Sequence, residues 1–477
     1  MSILSSGRRL VWDFSSLAFG QLLSMLLGFA GFAYLARTLS AESYGLIEYA
    51  VGLSALASIV IEGGLGPVGA LGIARDRTRA AELAGSVFVA RLLLTLLFVP
   101  LVGFSTRLTG QGLPVAVLVW LYALSLFAVP FKQDWLLQGL ERMTLVAPVQ
   151  ALRSAVFAVG VFLIVRNSSN LAVVGAIEIA AAAATAIYYF AAQRAVGVHM
   201  KFETRVLHPW ALIKAGAAVG ASNIIWTFML YVPIFLVTNL SGPAEAAWLG
   251  GAQRIVYSLV GFSALYFFNL YPAIVRGLHE SREEWERLMR SSYRLVAWGS
   301  LGVALVSTLV AKRVVVLAYG EAFSVAASVF SIYIWLLPVR LLSGHARWAL
   351  VAGERQELLL VSEGLATVSL LGLGAWLIPA HGAVGAASTV VVANIIGWLS
   401  AHVLAEKYVG RLPGARETLL PIAAALGSVA LAQTLSDNPI VRVGIAVAAY
   451  GVCLWLTGSD LIADLRRLSN AKGIVAG

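Results

Sequence analysis

The sequence predicts an all-α polytopic membrane protein: about fourteen transmembrane helices, with two pseudo-symmetric six-helix bundles around a central cavity and two further helices at the C-terminus. Three observations carry that expectation. Of 477 residues, 60% are hydrophobic and only 12% are charged, against about 45–50% and about 25% in a soluble domain. Apolar runs of the roughly 20 residues needed to cross a hydrocarbon core recur along the whole chain. Its basic residues, finally, fall largely on one side of the topology those runs define.

The first run, 10–36, follows Arg8 and Arg9. It is about twice the length of a signal-peptide core and shows no small-residue cleavage site, so it reads as a retained anchor with a cytoplasmic N-terminus. The Arg8-Arg9 pair superficially matches a twin-arginine export signal, but the long apolar run argues against one. Further spans are expected at 44–66, 82–105, 113–132, 143–165, 171–193 and 210–240. A second set follows at 244–275, 293–317, 323–345, 357–378, 382–405, 419–435 and 440–458. An even count leaves both termini cytoplasmic. On that topology 24 of the 34 basic residues lie in cytoplasmic segments, and the opposite loops hold Arg37, Arg107, Arg166, Lys312, Arg313 and Arg442. One missed helix would scramble this asymmetry.

The expected organisation is an N-terminal lobe at 1–195, a cytoplasmic linker at 196–209 and a second lobe at 210–405. A cytoplasmic loop at 406–418, a helical pair at 419–458 and a cytoplasmic tail at 459–477 complete it. No soluble domain fits between the spans. In the longest connection, 276–294, Leu278, Trp285, Leu288 and Met289 recur near helical spacing among charges, which predicts an amphipathic helix lying in the membrane interface.

An internal repeat supports the two lobes. Leu39-Ser40-Ala41-Glu42 returns as Leu240-Ser241 followed by Ala244-Glu245. Trp135 with Gly139-Leu140-Glu141-Arg142 returns as Trp348 with Gly353-Glu354-Arg355, and Val174-Gly175-Ala176 as Val384-Gly385-Ala386. The offsets, 201, 213 and 210, are nearly constant and span six helices, so both halves run in the same direction. Parallel repeats of this kind lead to rocking of two bundles, a midplane binding site and alternating access.

The stretch Ala36-Arg37-Thr38-Leu39-Ser40-Ala41-Glu42-Ser43-Tyr44-Gly45 resembles the first-loop signature of the O-antigen and exopolysaccharide flippases, roughly A-R-x-L-G-x-E-x-Y-G, with Ser40 in place of the usual glycine. Glu62-Gly63-Gly64-Leu65 is similar to that family's acidic-x-G-L, and Gly139 to Arg142 and Gly353 to Arg355 resemble its cytoplasmic G-x-x-R/K turns. The sharp motifs cover about the first seventy residues, the topology the whole chain. The resemblance implies the MATE-like fold of the multidrug/oligosaccharidyl-lipid/polysaccharide (MOP) exporters. It also implies flipping of undecaprenyl-pyrophosphate-linked oligosaccharides from the cytoplasmic to the periplasmic leaflet of the bacterial inner membrane. A transporter rather than an enzyme is expected, monomeric, with no nucleic-acid partner despite the net charge of +10. Polysaccharide polymerase and export machinery are the expected associates.

Charges at membrane depth are costly and point to function. Arg91, Arg153 and Arg254 fall inside spans. A guanidinium grips phosphate oxygens with paired hydrogen bonds, so these three are the candidate pyrophosphate contacts. The alternative is pairing with an embedded carboxylate that only holds helices together. Gln150, Asn223, Thr227, Tyr231, Tyr257 and Asn269 offer amides and hydroxyls suited to sugars, or equally to contacts between helices. Asp13, Glu62 and Glu178 are candidates for ion coupling, to H⁺ or Na⁺, or for structural ion pairs; no other cofactor is expected. Asp13, Ser16, Gly20, Ser24 and Gly28 share one stripe of the first helix and predict a buried or cavity-facing surface. Gly216 and Gly220 form a small-xxx-small pair suited to close packing.

Other patterns carry nothing. Gly64 to Gly69 matches G-x-G-x-x-G but ends a membrane span and contains Pro67. Neither a Walker lysine motif nor an i, i+4 histidine pair occurs, and the single cysteine, Cys453, can form no internal disulfide. A multidrug exporter of the same superfamily is the nearer alternative. A membrane-embedded polymerase or ligase is the other, disfavoured because no large external loop is present.

Overall fold

The computed structural model describes residues 3–110, 112–167, 171–202, 209–457 and 461–465, with side chains of the first helix described from Ser16 onward. Every element among these residues is helical. The chain divides into two compact units, 1–247 and 248–477. Unit 1 holds α1 (Ile3–Thr38), α2 (Ala41–Glu62), α3 (Leu65–Arg75), α4 (Ala80–Leu108), α5 (Leu113–Ser125), α6 (Asp134–Gly139), α7 (Ala147–Ile164), α8 (Leu171–Ala195), α9 (Pro209–Leu240) and the start of α10 (Pro243–Glu280). Unit 2 takes the rest of α10, then α11 (Arg282–Leu309), α12 (Ala311–Tyr319), α13 (Ala326–Tyr333), α14 (Leu336–Ala352), α15 (Glu357–Tyr408), α16 (Ala415–Leu435) and α17 (Pro439–Leu456).

Among the described residues eleven helical stretches are long and apolar enough to span a membrane, or twelve if the bent pair α11–α12, which turns by 75°, is one span. The expectation of fourteen differs from this for identifiable reasons. Two expected spans, 357–378 and 382–405, run together in α15, whose only interruption is a backbone break at Gly382 (φ 54°). The last expected span forms a helix shorter than the others, at 440–456. The protein is a multi-pass, all-helical membrane protein.

Small residues set the tightest packing in unit 1. Along α1, Gly20, Gly28 and Gly31 face Ala147, Ser154 and Ala158 of α7, and the Ser24 and Ser154 hydroxyls hydrogen-bond at 2.9 Å. The small-residue stripe of the first helix, read as buried or cavity-facing, is therefore a helix–helix contact. Absence of side chains lets the backbones approach, which is how helices associate where burial in lipid gives no drive. The partner helix is the one that carries Arg153.

A second seam joins α2 to α9 in antiparallel register. A side chain on Gly45 would run into the Pro243 carbonyl, Gly52 receives the Tyr231 ring, and Tyr49 stacks on Phe235 at 5.8 Å. At the far end, α2 stops because Gly63 and Gly64 are both left-handed (φ 53° and 69°), a conformation that costs glycine little. That break abuts Gly216 and Gly220; a Cβ on Gly220 would lie 2.9 Å from the Gly63 carbonyl carbon. The acidic-x-G-L motif and the small-xxx-small pair are thus two halves of one contact.

The internal repeat is visible in the backbone. Among the described residues, Glu141 (φ 58°) and Glu354 (φ 56°) are the only non-glycine residues with positive φ, 213 positions apart. In both turns the following arginine closes the helix end: Arg142 N–H donates to the Leu137 carbonyl at 2.8 Å and Arg355 N–H to that of Leu350 at 2.9 Å. These are matching left-handed C-terminal caps.

One expectation is corrected. The segment predicted to lie in the membrane interface forms the first turns of α11, but Trp285 and Met289 are completely buried. They pack in a cluster with Leu270, Ile274, Leu350 and Ala405. Unit 2 supplies its own apolar surface for the stripe, so lipid is not needed to cover it. Further along α11, Arg294 forks onto Asp464 at 2.6 and 2.7 Å, pinning the short helical segment 461–465.

Candidate functional site

The three candidate arginines have different surroundings. Arg91, on α4, is 2% exposed. Its guanidinium donates to the Lys132 carbonyl at 2.6 Å, just before α6 begins. Around it α3 runs close: a Cβ on Gly66 would lie 3.4 Å from Trp135 and 3.6 Å from the Arg91 guanidinium, and one on Gly69 would overlap the Trp135 ring. Lys132 reaches Glu62 at 3.0 Å, and the Ser58 hydroxyl donates to the same carboxylate at 3.5 Å. This is a packed corner. Arg91 braces the turn between α5 and α6, and Glu62 forms a structural ion pair.

Arg153 is different. It lies six residues into α7, about 9 Å from that helix's start and about 16 Å from its end at 1.5 Å per residue. The guanidinium pairs with the Glu178 carboxylate of α8. Glu178 is 9% exposed, whereas the Arg153 side chain is 56% exposed. Tyr122 of α5 and Tyr231 of α9 lie within electrostatic reach of the same guanidinium.

The direction of that open face follows from helical geometry. At about 100° per residue, Val159 and Phe162 lie about 120–180° around α7 from Arg153. Those two are exposed apolar side chains suited to lipid. Arg153 leaves α7 instead between two protein neighbours: Gly160 packs on Ile177 of α8, and Ser154 bonds Ser24 of α1. A charge at this depth turned toward lipid would cost several kcal/mol, about 2.5–3.5 on insertion scales. Its open side therefore lies on the arc of α7 between α8 and α1, away from Val159 and Phe162.

Of the remaining candidates, Gln150 is half-buried on α7, one turn before Arg153. Thr227 is buried and donates to the Asn223 carbonyl at 2.9 Å, so its hydroxyl is already engaged, and Asn223 is exposed. Arg254, Tyr257 and Asn269 belong to unit 2. Arg254 is half-buried and has its own polar contacts; Tyr257 sits 6.4 Å from Tyr333 between ring centroids; Asn269 is exposed. The Asp13 side chain lies outside the described residues. Sequence reasoning missed Tyr122, which lies among apolar residues on α5, and no pattern marks it. It also missed that Arg153 and Glu178 are partners.

Comparison with known proteins gives the family. A profile described as "Polysaccharide biosynthesis protein" matches residues 10–278, more than half of the chain. The chain belongs to the polysaccharide biosynthesis protein family. A relative from Escherichia coli (strain K12), named "Putative O-antigen transporter", is 22% identical over 314 residues, covering 64% of this chain and 75% of that protein. Among solved structures, the lipid II flippase MurJ in an inward closed conformation superposes with a TM-score of 0.74 at 13% identity, covering 94% of this chain and 99% of MurJ. An inward-facing multidrug resistance MATE family transporter of the MOP superfamily gives 0.61 at 14%, covering 83% and 98%. This member of the polysaccharide biosynthesis family therefore has the fold shared by MurJ and MATE. The first-loop signature, Glu62 to Leu65 and Gly139 to Arg142 lie inside the matched region, and Gly353 to Arg355 lies outside it.

Proposed function

We propose that this protein is a flippase that moves undecaprenyl-pyrophosphate-linked oligosaccharide units from the cytoplasmic to the periplasmic leaflet of the bacterial inner membrane. Alternating access is the mechanism, and supply of units for O-antigen or exopolysaccharide synthesis is the role. The observation that carries this reading is Arg153: a guanidinium inside a span, held on one side by Glu178 and exposed on the other. A pyrophosphate diester is a compact pair of negative charges, and a guanidinium meets two of its oxygens at once. Tyr231 lies within electrostatic reach of that point, and an aromatic ring with a hydroxyl suits the first sugar. Family membership supports the same reading, and so does the name of the E. coli relative.

Arg254 and Tyr257, three residues apart on α10, are proposed as unit 2's own contacts with a substrate, and Asn269 lies fifteen residues on from Arg254. Arg91 is assigned a bracing role instead. Export of cationic drugs fits poorly, because the acid nearest the mid-span site is already neutralised by Arg153.

Reconstituted vesicles test the proposal. A fluorescent polyprenyl-pyrophosphoryl sugar should cross with wild-type protein, and the Arg153→Ala/Glu178→Gln variant should cut the rate on the order of a hundredfold, the value of two charge-assisted hydrogen bonds. The double change leaves no orphan charge in the membrane, so folding is preserved. An unchanged rate would overturn the assignment.

A further inference from the structure

Arg340, on α14, has no role so far, yet it sits where a charge is costly. The helical stretch Ala326–Ala352 is long and apolar enough to span a membrane. It runs seven residues past the end expected from the sequence, so Arg340 lies fourteen residues after its first residue and twelve before its last. A charge at the middle of such a stretch calls for a counter-charge or a function.

The protein supplies no counter-charge. Among the described residues no carboxylate pairs with Arg340, and its Nε is buried without a hydrogen-bond partner. Arg347, two turns on along the same face of α14, is the contrast: Glu363 of α15 holds it at 2.6 Å. What Arg340 has nearby is aromatic hydroxyls. It lies within electrostatic reach of Tyr333, whose ring centroid is 6.4 Å from that of Tyr257 on α10. Tyr257 is half-buried, one turn after Arg254.

The accessible arc of α14 is polar. No large apolar side chain on this helix is exposed, and the half-buried Leu341, Trp348 and Val351 pack on apolar clusters of unit 2. At about 100° per residue, Arg340, Ser343 and Arg347 fall within about 60° of arc, and all three are at least partly accessible. A helix that meets lipid shows the reverse pattern, as α7 does with Val159 and Phe162.

We propose that Arg340 is an anion-binding residue of unit 2, which receives a carboxylate or phosphate group of the substrate beside Tyr257. Two parts of a lipid-linked glycan carry such a group: the pyrophosphate linkage and an acidic sugar. Either presents paired oxygens to a guanidinium. The inference rests on the lipid-linked glycan reading above but not on Arg153. It also explains why the charge is kept. An unpartnered guanidinium weakens the empty protein, and a bound anion makes up the loss only when substrate is present.

The test titrates purified full-length protein with two probes, citronellyl-pyrophosphoryl-N-acetylglucosamine and the same molecule extended by glucuronic acid. Thermal unfolding without ligand is followed in parallel. Arg340→Gln should unfold at the wild-type temperature or above, because it removes a charge that has no partner. It should bind at least one probe on the order of tenfold more weakly, the loss of a charge-assisted contact. Equal loss for both probes identifies the pyrophosphate as the anion, and loss for the glucuronate probe alone identifies the acidic sugar. Arg340→Lys, which keeps the charge, should recover part of the affinity. Wild-type affinity of Arg340→Gln for both probes, or a marked fall in its unfolding temperature, would overturn the assignment and leave Arg153 as the headgroup contact. No binding of either probe by wild-type protein would remove the flippase reading and this inference with it.

Discussion

Two arginines, Arg91 and Arg153, both sit within helices of unit 1 and carry the same chemistry, yet their surroundings give them opposite uses. Around Arg91 everything is closed: α3 lies flat on Trp135 because Gly66 and Gly69 have no side chains, and the guanidinium is spent on a backbone carbonyl. Around Arg153 one face is filled by a carboxylate and the other is open. A guanidinium enclosed against a backbone carbonyl stabilises a corner; one held by an exchangeable anion can bind another. What separates structure from site here is the partner and the open side, not the residue type.

The contrast can be broken at its closed end first. Gly64→Val would place a branched side chain in a left-handed position against the Gly216 carbonyl, with a Cβ 2.6 Å from the Gly220 nitrogen. The combined strain and overlap should cost about 2–5 kcal/mol. Little folded protein should survive size-exclusion after mild heating, and normal thermal stability would show that the seam is not tight. Next, Arg91→Met keeps the volume but loses a charged hydrogen bond. A loss of about 2 kcal/mol in stability is expected, with affinity for a pyrophosphoryl sugar within twofold of wild type. A large loss of affinity at normal stability would make Arg91 a binding residue and dissolve the distinction.

The smallest effects concern the two turns that mark the repeat. Glu141→Gly and Glu354→Gly each remove a left-handed side-chain position and should stabilise the chain by about 1 kcal/mol. Glu141 has a little to lose in return, an exposed pair with Arg77 at 2.9 Å, worth at most a few tenths of a kcal/mol to about 1. Unfolding of the single and double variants, compared side by side, measures whether the turns are energetically equivalent. Destabilisation by both would show that the turns are not strained.

Much of the fold was legible in the sequence because membrane spans are written as long apolar runs whose ends are fixed by charge asymmetry. The repeat was legible too, since Glu141-Arg142 and Trp135 recur as Glu354-Arg355 and Trp348 at a fixed offset of 213. Two features of the spans were not. A run of apolar residues does not say whether α15 bends enough at Gly382 to be two helices. Nor does an amphipathic stripe such as Trp285 and Met289 say whether lipid or protein will cover it. The site was legible only as a set of candidates. Nothing in the spacing of Arg153 and Glu178, on separate helices 25 residues apart, pairs them, and nothing in Arg91 reveals that the Lys132 carbonyl waits beside it. Those are tertiary facts, made by glycine-lined contacts between helices.

Aqueous access to the two positions decides the matter most directly. With Cys453→Ser as background, Arg153→Cys should react readily with water-soluble aminoethyl methanethiosulfonate, and the cation so attached should restore binding of the pyrophosphoryl sugar. Thr95→Cys, one turn from Arg91 in the closed corner, should stay unmodified under the same conditions. An unreactive Arg153→Cys, or one whose modification leaves binding lost, would contradict the claim that position 153 carries a cation facing water to hold the headgroup.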